Sequence, residues 1–92
     1  MDPQLYIPDE MIRRYVERRR ADLRLVEDAI QKKDRDTLIR VGHQIKGNAA
    51  TFTFKDLEMI GIRLEESALA GDFMRASEIS TDFKAWLLAQ GS

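Results

Sequence analysis

The chain has 92 residues, which suits one small domain and is too short for a two-lobed enzyme with a cleft between domains. Hydrophobic residues make up 43% of it and charged residues 34%, so we expect a folded globular domain rather than a disordered segment. Fifteen lysines and arginines against sixteen aspartates and glutamates give a formal net charge of -1. No overall field therefore attracts the chain to nucleic acid or to a membrane.

Cysteine is absent, which excludes disulfides, thiol catalysis and thiolate metal sites and fits a reducing compartment. The longest unbroken apolar run, Ala85 to Ala89, is far shorter than the roughly 20 residues that span a bilayer. The start, Met1-Asp2-Pro3, is unlike a signal peptide and favours a free-standing protein. We therefore expect a cytoplasmic protein whose partners include neither nucleic acid nor membrane.

The first helix is predicted over about residues 9–32. Pro8 followed by Asp9 and Glu10 is typical of a helix start, because proline suits the first turn and acidic residues complement the helix dipole. Apolar residues then recur at spacings of three or four residues, or multiples of these, although Arg19 interrupts the pattern. They are Ile12, Val16, Leu23, Val26 and Ile30.

The second helix is predicted over 34–52 with Asp34 as its N-cap, and the third over 54–70. The Thr53 to Asp56 segment matches a variant of the capping box, and Gly71 is placed to end the third helix. The buried stripe of the second helix comprises Leu38, Val41 or Gly42, Ile45, Ala49 and Phe52. That of the third comprises Leu57, Ile60 or Gly61, Leu64 and Ala68.

The fourth helix is predicted over 72–90 with Asp72 as its N-cap. Its apolar face comprises Phe73, Ala76, Ile79, Phe83 and Trp86 or Leu87. Four helices joined by short connections predict an all-α fold, an antiparallel up-down-up-down four-helix bundle made by one domain over residues 1–92.

Three glycines lie inside predicted helices, where each costs about 1 kcal/mol relative to alanine. If the second and third helices turn back on each other near Thr53, Gly42 and Gly61 face each other, and close helix packing explains both. Gly47 lies off the buried stripe and leaves open backbone beside His43, the only histidine. Packing gives no reason for this third glycine.

His43, Lys46, Gly47 and Ala50 are spaced i, i+3, i+4 and i+7, so they line one side of the second helix. Neutral imidazole can attack phosphorus at cytoplasmic pH, and a lysine one turn away offsets the added negative charge. The small residues would let another protein approach the ring. Spacing alone leaves a second interpretation open, an ordinary solvated face.

The segment from His43 to Ala50, with the sequence HQIKGNAA, carries a distinctive pattern and is followed by Phe52, Phe54, Leu57 and the pair Leu64-Glu65. It closely resembles the H-x-x-K-G signature of histidine-containing phosphotransfer domains, which are four-helix bundles. The resemblance covers residues 34–70 in detail. It implies that His43 is the phosphoacceptor, that Lys46 steadies the phosphoryl group and that Gly47 provides clearance. One departure lies in the turn, where Thr53 stands at a position that is glycine in many members.

The resemblance further implies a phosphorelay intermediate, a carrier rather than an enzyme. His43 would take a phosphoryl group from a histidine kinase or a receiver aspartate and pass it to the receiver domain of a response regulator. No cofactor of its own is expected, and magnesium is expected in the partner receiver domain. The alternative is a non-catalytic helical interaction module that uses the same face without phosphorylation. We expect a monomer, although a single bundle leaves the oligomeric state open. The identity of the partners, the direction of transfer and whether the chain is a free-standing protein or an excised domain also stay open.

A receiver must cover more area than one ring, so a wider docking surface is expected around His43. The predicted members are Ile39, Arg40, Gly47 and Ala50 on the second helix, with Met59 and Arg63 nearby on the third. An apolar patch rimmed by cations suits an acidic receiver site. Ile39 is informative because it lies outside the buried stripe, where we expect no core for it to fill.

Other sites are less well supported. As a metal ligand His43 lacks a second histidine or any cysteine, so no metal site is expected. Five arginines form a basic run, which interleaved acidic residues mark as a solvated helical face: Arg13, Arg14, Arg18, Arg19 and Arg20. Trp86 and the phenylalanines lie at core spacing, so we do not expect them to form a platform for stacking bases.

Overall fold

The computed structural model describes residues 7–91, and over that range the chain is helical with no strand. The helices are α1 (Asp9–Lys32), α2 (Arg35–Thr51), α3 (Lys55–Leu69) and α4 (Phe73–Ala89). Helix α1 spans the range expected from the sequence. The other three are one residue shorter at each end than expected, because the expected ranges included the capping residues.

Each helix packs against two others over the described range, in the pairs α1–α2, α2–α3, α3–α4 and α1–α4. The four helices therefore surround one shared core. Its largest fully buried side chains come from every helix and include Val26, Ile45, Leu64 and Phe83. All four belong to the stripes predicted from helical spacing.

Helix α1 differs most from its predicted stripe. Tyr15 and Ala29 are buried, whereas Ile12 and Ile30 are only half-buried at the edge of the core. The Tyr15 hydroxyl donates a hydrogen bond to the Asn48 side-chain oxygen, and its ring stacks on Phe52 with centroids 4.2 Å apart. Desolvation on burial raises the pKa of Tyr15. A polar side chain can thus join the core because α2 supplies its partner.

Side chains cap two helices as predicted. The Asp34 carboxylate accepts the Thr37 backbone N–H at 3.2 Å, and the Asp72 carboxylate accepts the Arg75 backbone N–H at 3.0 Å. Each satisfies a donor that has no partner within the first turn.

The predicted capping box at Thr53 is wrong. The residue that caps α3 is Phe54, without a side-chain hydrogen bond. Thr53 instead turns the chain with φ at +61°, in the left-handed region, and its hydroxyl donates to the Phe52 carbonyl at 2.6 Å. The hydroxyl is therefore bonded to the residue before it and not to the first turn of α3, where no side-chain cap is present. The turn therefore uses threonine where glycine is the unstrained residue.

Helices α2 and α3 approach each other closely at two glycines, as predicted. A Cβ on Gly42 would lie 2.8 Å from the backbone nitrogen of Glu65, and a Cβ on Gly61 would lie 2.6 Å from that of Lys46. Neither position has room for a side chain unless a backbone moves. This contact holds Lys46 and Glu65 side by side, next to His43.

Candidate functional site

The candidate site is a cluster of three side chains on the α2–α3 surface. His43 lies near the middle of α2, and 65% of its side chain is exposed. Its Nδ1 is 3.0 Å from Oε2 of Glu65, which projects from α3. The Lys46 ammonium donates to the other carboxylate oxygen, also at 3.0 Å. One carboxylate therefore holds both predicted functional side chains.

Glu65 is only 18% exposed, yet its environment favours the ionised form. The hydrogen bond from Lys46 lowers the pKa of Glu65 most strongly, partial burial opposes this, and the contact with His43 lowers it further. The carboxylate is therefore ionised at neutral pH. An anion beside Nδ1 favours the tautomer that carries its proton there, which leaves the Nε2 lone pair available for reaction.

The backbone beside His43 is open, as predicted. Gly47 is exposed one turn after the histidine, and a Cβ built on it would meet nothing within 4 Å in the described structure. Ala50 is exposed one turn further along the same face. Unlike Gly42 and Gly61, Gly47 is not required by packing. Two small residues thus leave an open surface on the helix face that carries His43.

The two other docking residues predicted on α2 differ in exposure. Arg40 is exposed on α2 as expected. Ile39 is half-buried and packs against the core, so the expectation that it lacks core contact is wrong. Ile39 lies next to Leu38 and one turn before Gly42, which are both buried, so its side chain reaches the edge of the core.

Met59 and Arg63 do not share the face of α3 that reaches His43. Arg63 lines a cleft between α3 and α4 together with Met74 and Glu78. Each helical residue turns the side chain by about 100°, so Arg63 lies about 160° around α3 from Glu65, and Met59 about 120°. Antiparallel pairing predicts which residues of α3 lie at the height of His43 but not which of them point toward it. The expectation that Met59 and Arg63 lie beside His43 therefore fails.

Glu65 is the site residue that the sequence analysis did not assign a role. A signal for it was present in the glycine pattern. If Gly61 faces α2 at the close contact, then the residue one turn later, Glu65, must face α2 as well. The charge of Lys46 at the opposing position then points to an ion pair.

The basic run of α1 is not uniformly solvated. Arg19 is half-buried, with its guanidinium carbon 4.7 Å from the centre of the Tyr15 ring and its Nε 2.9 Å from an Asp22 carboxylate oxygen. Desolvation raises the pKa of Asp22, and the charge of Arg19 partly opposes the rise. Arg19 therefore has a structural role, whereas Arg13, Arg14 and Arg18 are exposed.

Two further features bear on function. Between residues 7 and 91, no three histidine, aspartate or glutamate side chains are grouped so that they could hold a metal ion. None of the four helices in that range combines the length and the apolar character that crossing a bilayer requires.

The fold and the site together describe a bundle of four helices with an exposed histidine that is hydrogen-bonded to a carboxylate. Comparison with known families agrees, because the model of the Hpt domain matches residues 10–89. The chain belongs to the Hpt domain family, whose members carry phosphoryl groups in two-component relays and work with kinases and receiver domains. The resemblance seen in the sequence is thereby confirmed. No curated protein and no solved structure gives a significant match.

Proposed function

We propose that His43 is the phosphoacceptor of this chain and that the chain is a phosphorelay intermediate. It takes a phosphoryl group from a histidine kinase or a receiver aspartate and passes it to the receiver domain of a response regulator. The observation that carries the proposal is the hydrogen bond between Nδ1 of an exposed His43 and Glu65. It fixes the ring and leaves Nε2 facing the side from which a partner can approach.

The transfer step follows from this geometry. The Nε2 lone pair attacks the phosphorus of a phosphoaspartate, the N–P bond forms, and the bond from phosphorus to the carboxyl oxygen breaks. The aspartate leaves as a carboxylate. The Nδ1 proton stays on the ring, where the Glu65 carboxylate stabilises the positive charge that develops on the imidazole. Transfer to the next receiver is the same step in reverse.

The remaining parts of the machinery belong to the partner in this proposal. Magnesium and the acidic residues that orient the phosphoryl group are supplied by the receiver, and this chain contributes the nucleophile and Lys46. Arg40, Gly47 and Ala50 form the docking surface around the ring, with Ile39 at its edge. We also propose that the chain acts as a cytoplasmic monomer.

The proposal includes the up-down-up-down order of the helices. Connections of two or three residues separate consecutive helices, too short for a helix to return in the same direction. Gly42 lies beside Glu65 while Lys46 lies beside Gly61, so residue numbers rise along α2 as they fall along α3. Both observations support this order.

The test is incubation with a receiver domain phosphorylated by acetyl phosphate, followed by measurement of label on this chain. An acid-labile, base-stable phosphate is expected on the unchanged protein and none on His43→Gln. Gln44→Ala, at the next exposed position of α2, is the matched control and should accept phosphate normally. Binding of the receiver without any acid-labile phosphate would instead support the non-catalytic interaction module.

The roles of the neighbours can be separated from that of the nucleophile. Glu65→Gln keeps the size of the side chain and a hydrogen-bond acceptor but removes the charge, so acceptance should slow rather than vanish. Gly47→Gln should obstruct the receiver and slow transfer, whereas Gly47→Ala should leave it nearly unchanged. A Gly47→Gln variant that transfers at the normal rate would contradict the proposed clearance.

A further inference from the structure

A groove between α1 and α4 runs along the side of the bundle away from α2. Its wider part encloses about 540 Å³ and lies against Ile12 and Val16 of α1 and against Gln90, the residue that follows α4. A narrower part of about 190 Å³ continues between Leu23 and Leu87. Arg20 borders both parts, so they form one groove from Ile12 to Arg24, which we call the α1–α4 groove. Its length is about 18 Å, or roughly three helical turns.

The rim of the α1–α4 groove is strongly cationic. Six basic side chains line it, of which Arg14 and Arg18 also line a cleft beside Asn48 and Phe52 of the α2 side: Arg13, Arg14, Arg18, Arg20, Arg24 and Lys84. Glu17 is the acidic residue among the lining residues, and its carboxylate lies 3.3 Å from Arg20. Arg13, Arg20 and Arg24 lie within about 40° of one another around α1, and Lys84 faces them from α4, so these four cations belong to the α4 side of the groove.

The floor of the α1–α4 groove is apolar. Val16, Leu23 and Leu87 are buried beneath it, and Leu88 stands at its edge with 66% of its surface exposed. An apolar floor between cationic rims is complementary to an amphipathic helix with an apolar stripe and acidic flanks. A nucleic acid would pair with the arginines and leave the apolar floor without a contact, so the floor favours the helix.

We propose that the α1–α4 groove docks an acidic amphipathic helix of a partner protein. Helix α4 packs against α1 and α3, and over residues 7–91 it makes no comparable contact with α2. The groove and His43, which is on α2, therefore lie on different sides of the bundle. A helix bound there leaves the histidine accessible, so one partner can tether the chain while a second exchanges phosphate.

The probe is a synthetic helix of about 12 residues, matched to the length of the groove, with leucines at i, i+3, i+4 and i+7 and glutamates elsewhere. Titration into the full chain, followed by the amide signals in NMR, should move those of Arg20, Arg24 and Leu88 and leave that of His43 in place. A matched peptide with lysines in place of the glutamates should bind at least about tenfold more weakly. Rising salt concentration should weaken the binding of the acidic peptide, because it screens the attraction between opposite charges.

Two matched substitutions test the location. Leu88→Glu puts a negative charge, of the same sign as the glutamates of the peptide, at the edge of the groove. It should weaken binding of the acidic peptide by about tenfold. Met74→Glu makes a comparable change on the same helix, at a residue that is 78% exposed and lines a different cleft, and should leave binding unchanged. Both positions are exposed, so both variants should fold.

Several outcomes would overturn the proposal. These are equal binding of the two peptides, signal changes centred on His43, or equal weakening by the two substitutions. A chain starting at Ile7 that binds the peptide far more tightly would assign the groove to the chain's own first residues. A single-stranded oligonucleotide that displaces the peptide and binds more tightly would assign it to nucleic acid.

Discussion

Replacement of Gly61 by alanine tests whether the close contact between α2 and α3 positions the site. The added Cβ would lie 2.6 Å from the Lys46 nitrogen and 2.9 Å from the Gly42 oxygen. Ordinary contact begins at 3.4 Å, so the first distance is short by about 0.8 Å. Both atoms belong to backbone and cannot rotate away, so α3 must move from α2.

The free-energy balance has two terms of opposite sign. Alanine is favoured over glycine in a helix by about 1 kcal/mol, whereas overpacking costs about 1–3 kcal/mol, and here it acts on two backbones. We expect a net destabilisation of about 1–2 kcal/mol for Gly61→Ala. In Gly47→Ala, where nothing lies within 4 Å of the new Cβ, only the favourable term operates. The two variants should therefore differ by about 2–3 kcal/mol, or on the order of 10 °C in melting temperature.

The same displacement should reach the candidate site. If α3 moves by the missing distance, the Lys46–Glu65 hydrogen bond lengthens from 3.0 Å to about 3.8 Å and is lost. For this partly buried pair we take the upper end of the range for surface ion pairs, about 1 kcal/mol, which predicts about fivefold slower phosphoryl acceptance on the proposed function. Urea denaturation and transfer from a labelled receiver measure the two effects. Gly61→Ala at least as stable as Gly47→Ala would refute the argument.

Three further predictions concern the turn, the acid limb of stability and the docking surface. Thr53→Gly should stabilise the chain by about 0.5–1 kcal/mol, because the left-handed strain that it removes exceeds the conformational freedom that the unfolded chain gains. Thr81→Gly, inside α4, is the control and should lower the melting temperature in the same experiment. The hydrogen bonds from Thr37 lower the pKa of Asp34, so its stabilisation is complete above its ordinary value of about 3.9 and is lost as pH falls through its lower folded value. The difference in melting temperature between the protein and Asp34→Asn should therefore shrink as pH falls below the ordinary pKa of about 3.9, and a constant difference would contradict the assignment. Arg40→Ala should slow transfer from the receiver, whereas Arg63→Ala, on the α4 side of α3, should not. If Arg63→Ala alone slowed transfer, the docking surface would include α3 as the sequence predicts.

The core could be predicted where burial depends on helical spacing alone. Leu38 and Ile45 are seven residues apart on α2, and Leu57 and Leu64 are seven apart on α3, so each pair shares one face of its helix and its burial follows from the helical period. The burial of Tyr15 does not follow from helical spacing, because it depends on a hydrogen-bond partner for the hydroxyl, Asn48, on another helix. Spacing within one helix carries no information on such a partner.

The candidate site shows the same division. His43, Lys46 and Gly47 lie on one helix, so their common face could be predicted from spacing. The approach of Glu65 depends on how α3 is rotated about its own axis, and that rotation is set by the packing of Gly42 on Gly61. Antiparallel pairing alone does not separate Arg63 from Glu65 as a neighbour of the histidine, whereas the facing of Gly61 toward α2 favours Glu65.

The sharing of Lys46 between two anions has a consequence for the direction of the relay. On the proposed function, the phosphoryl group brings almost two negative charges to a lysine that already pairs with Glu65. The Lys46 ammonium has three N–H donors and can contact the phosphate while it keeps its hydrogen bond to Glu65, but that carboxylate already offsets part of its charge. The gain is therefore smaller than that of a full ion pair, which is about 0–1 kcal/mol between exposed groups. Such a carrier adds little bias of its own to the transfer equilibrium, and phosphate flows according to the relative amounts of phosphorylated donor and free acceptor.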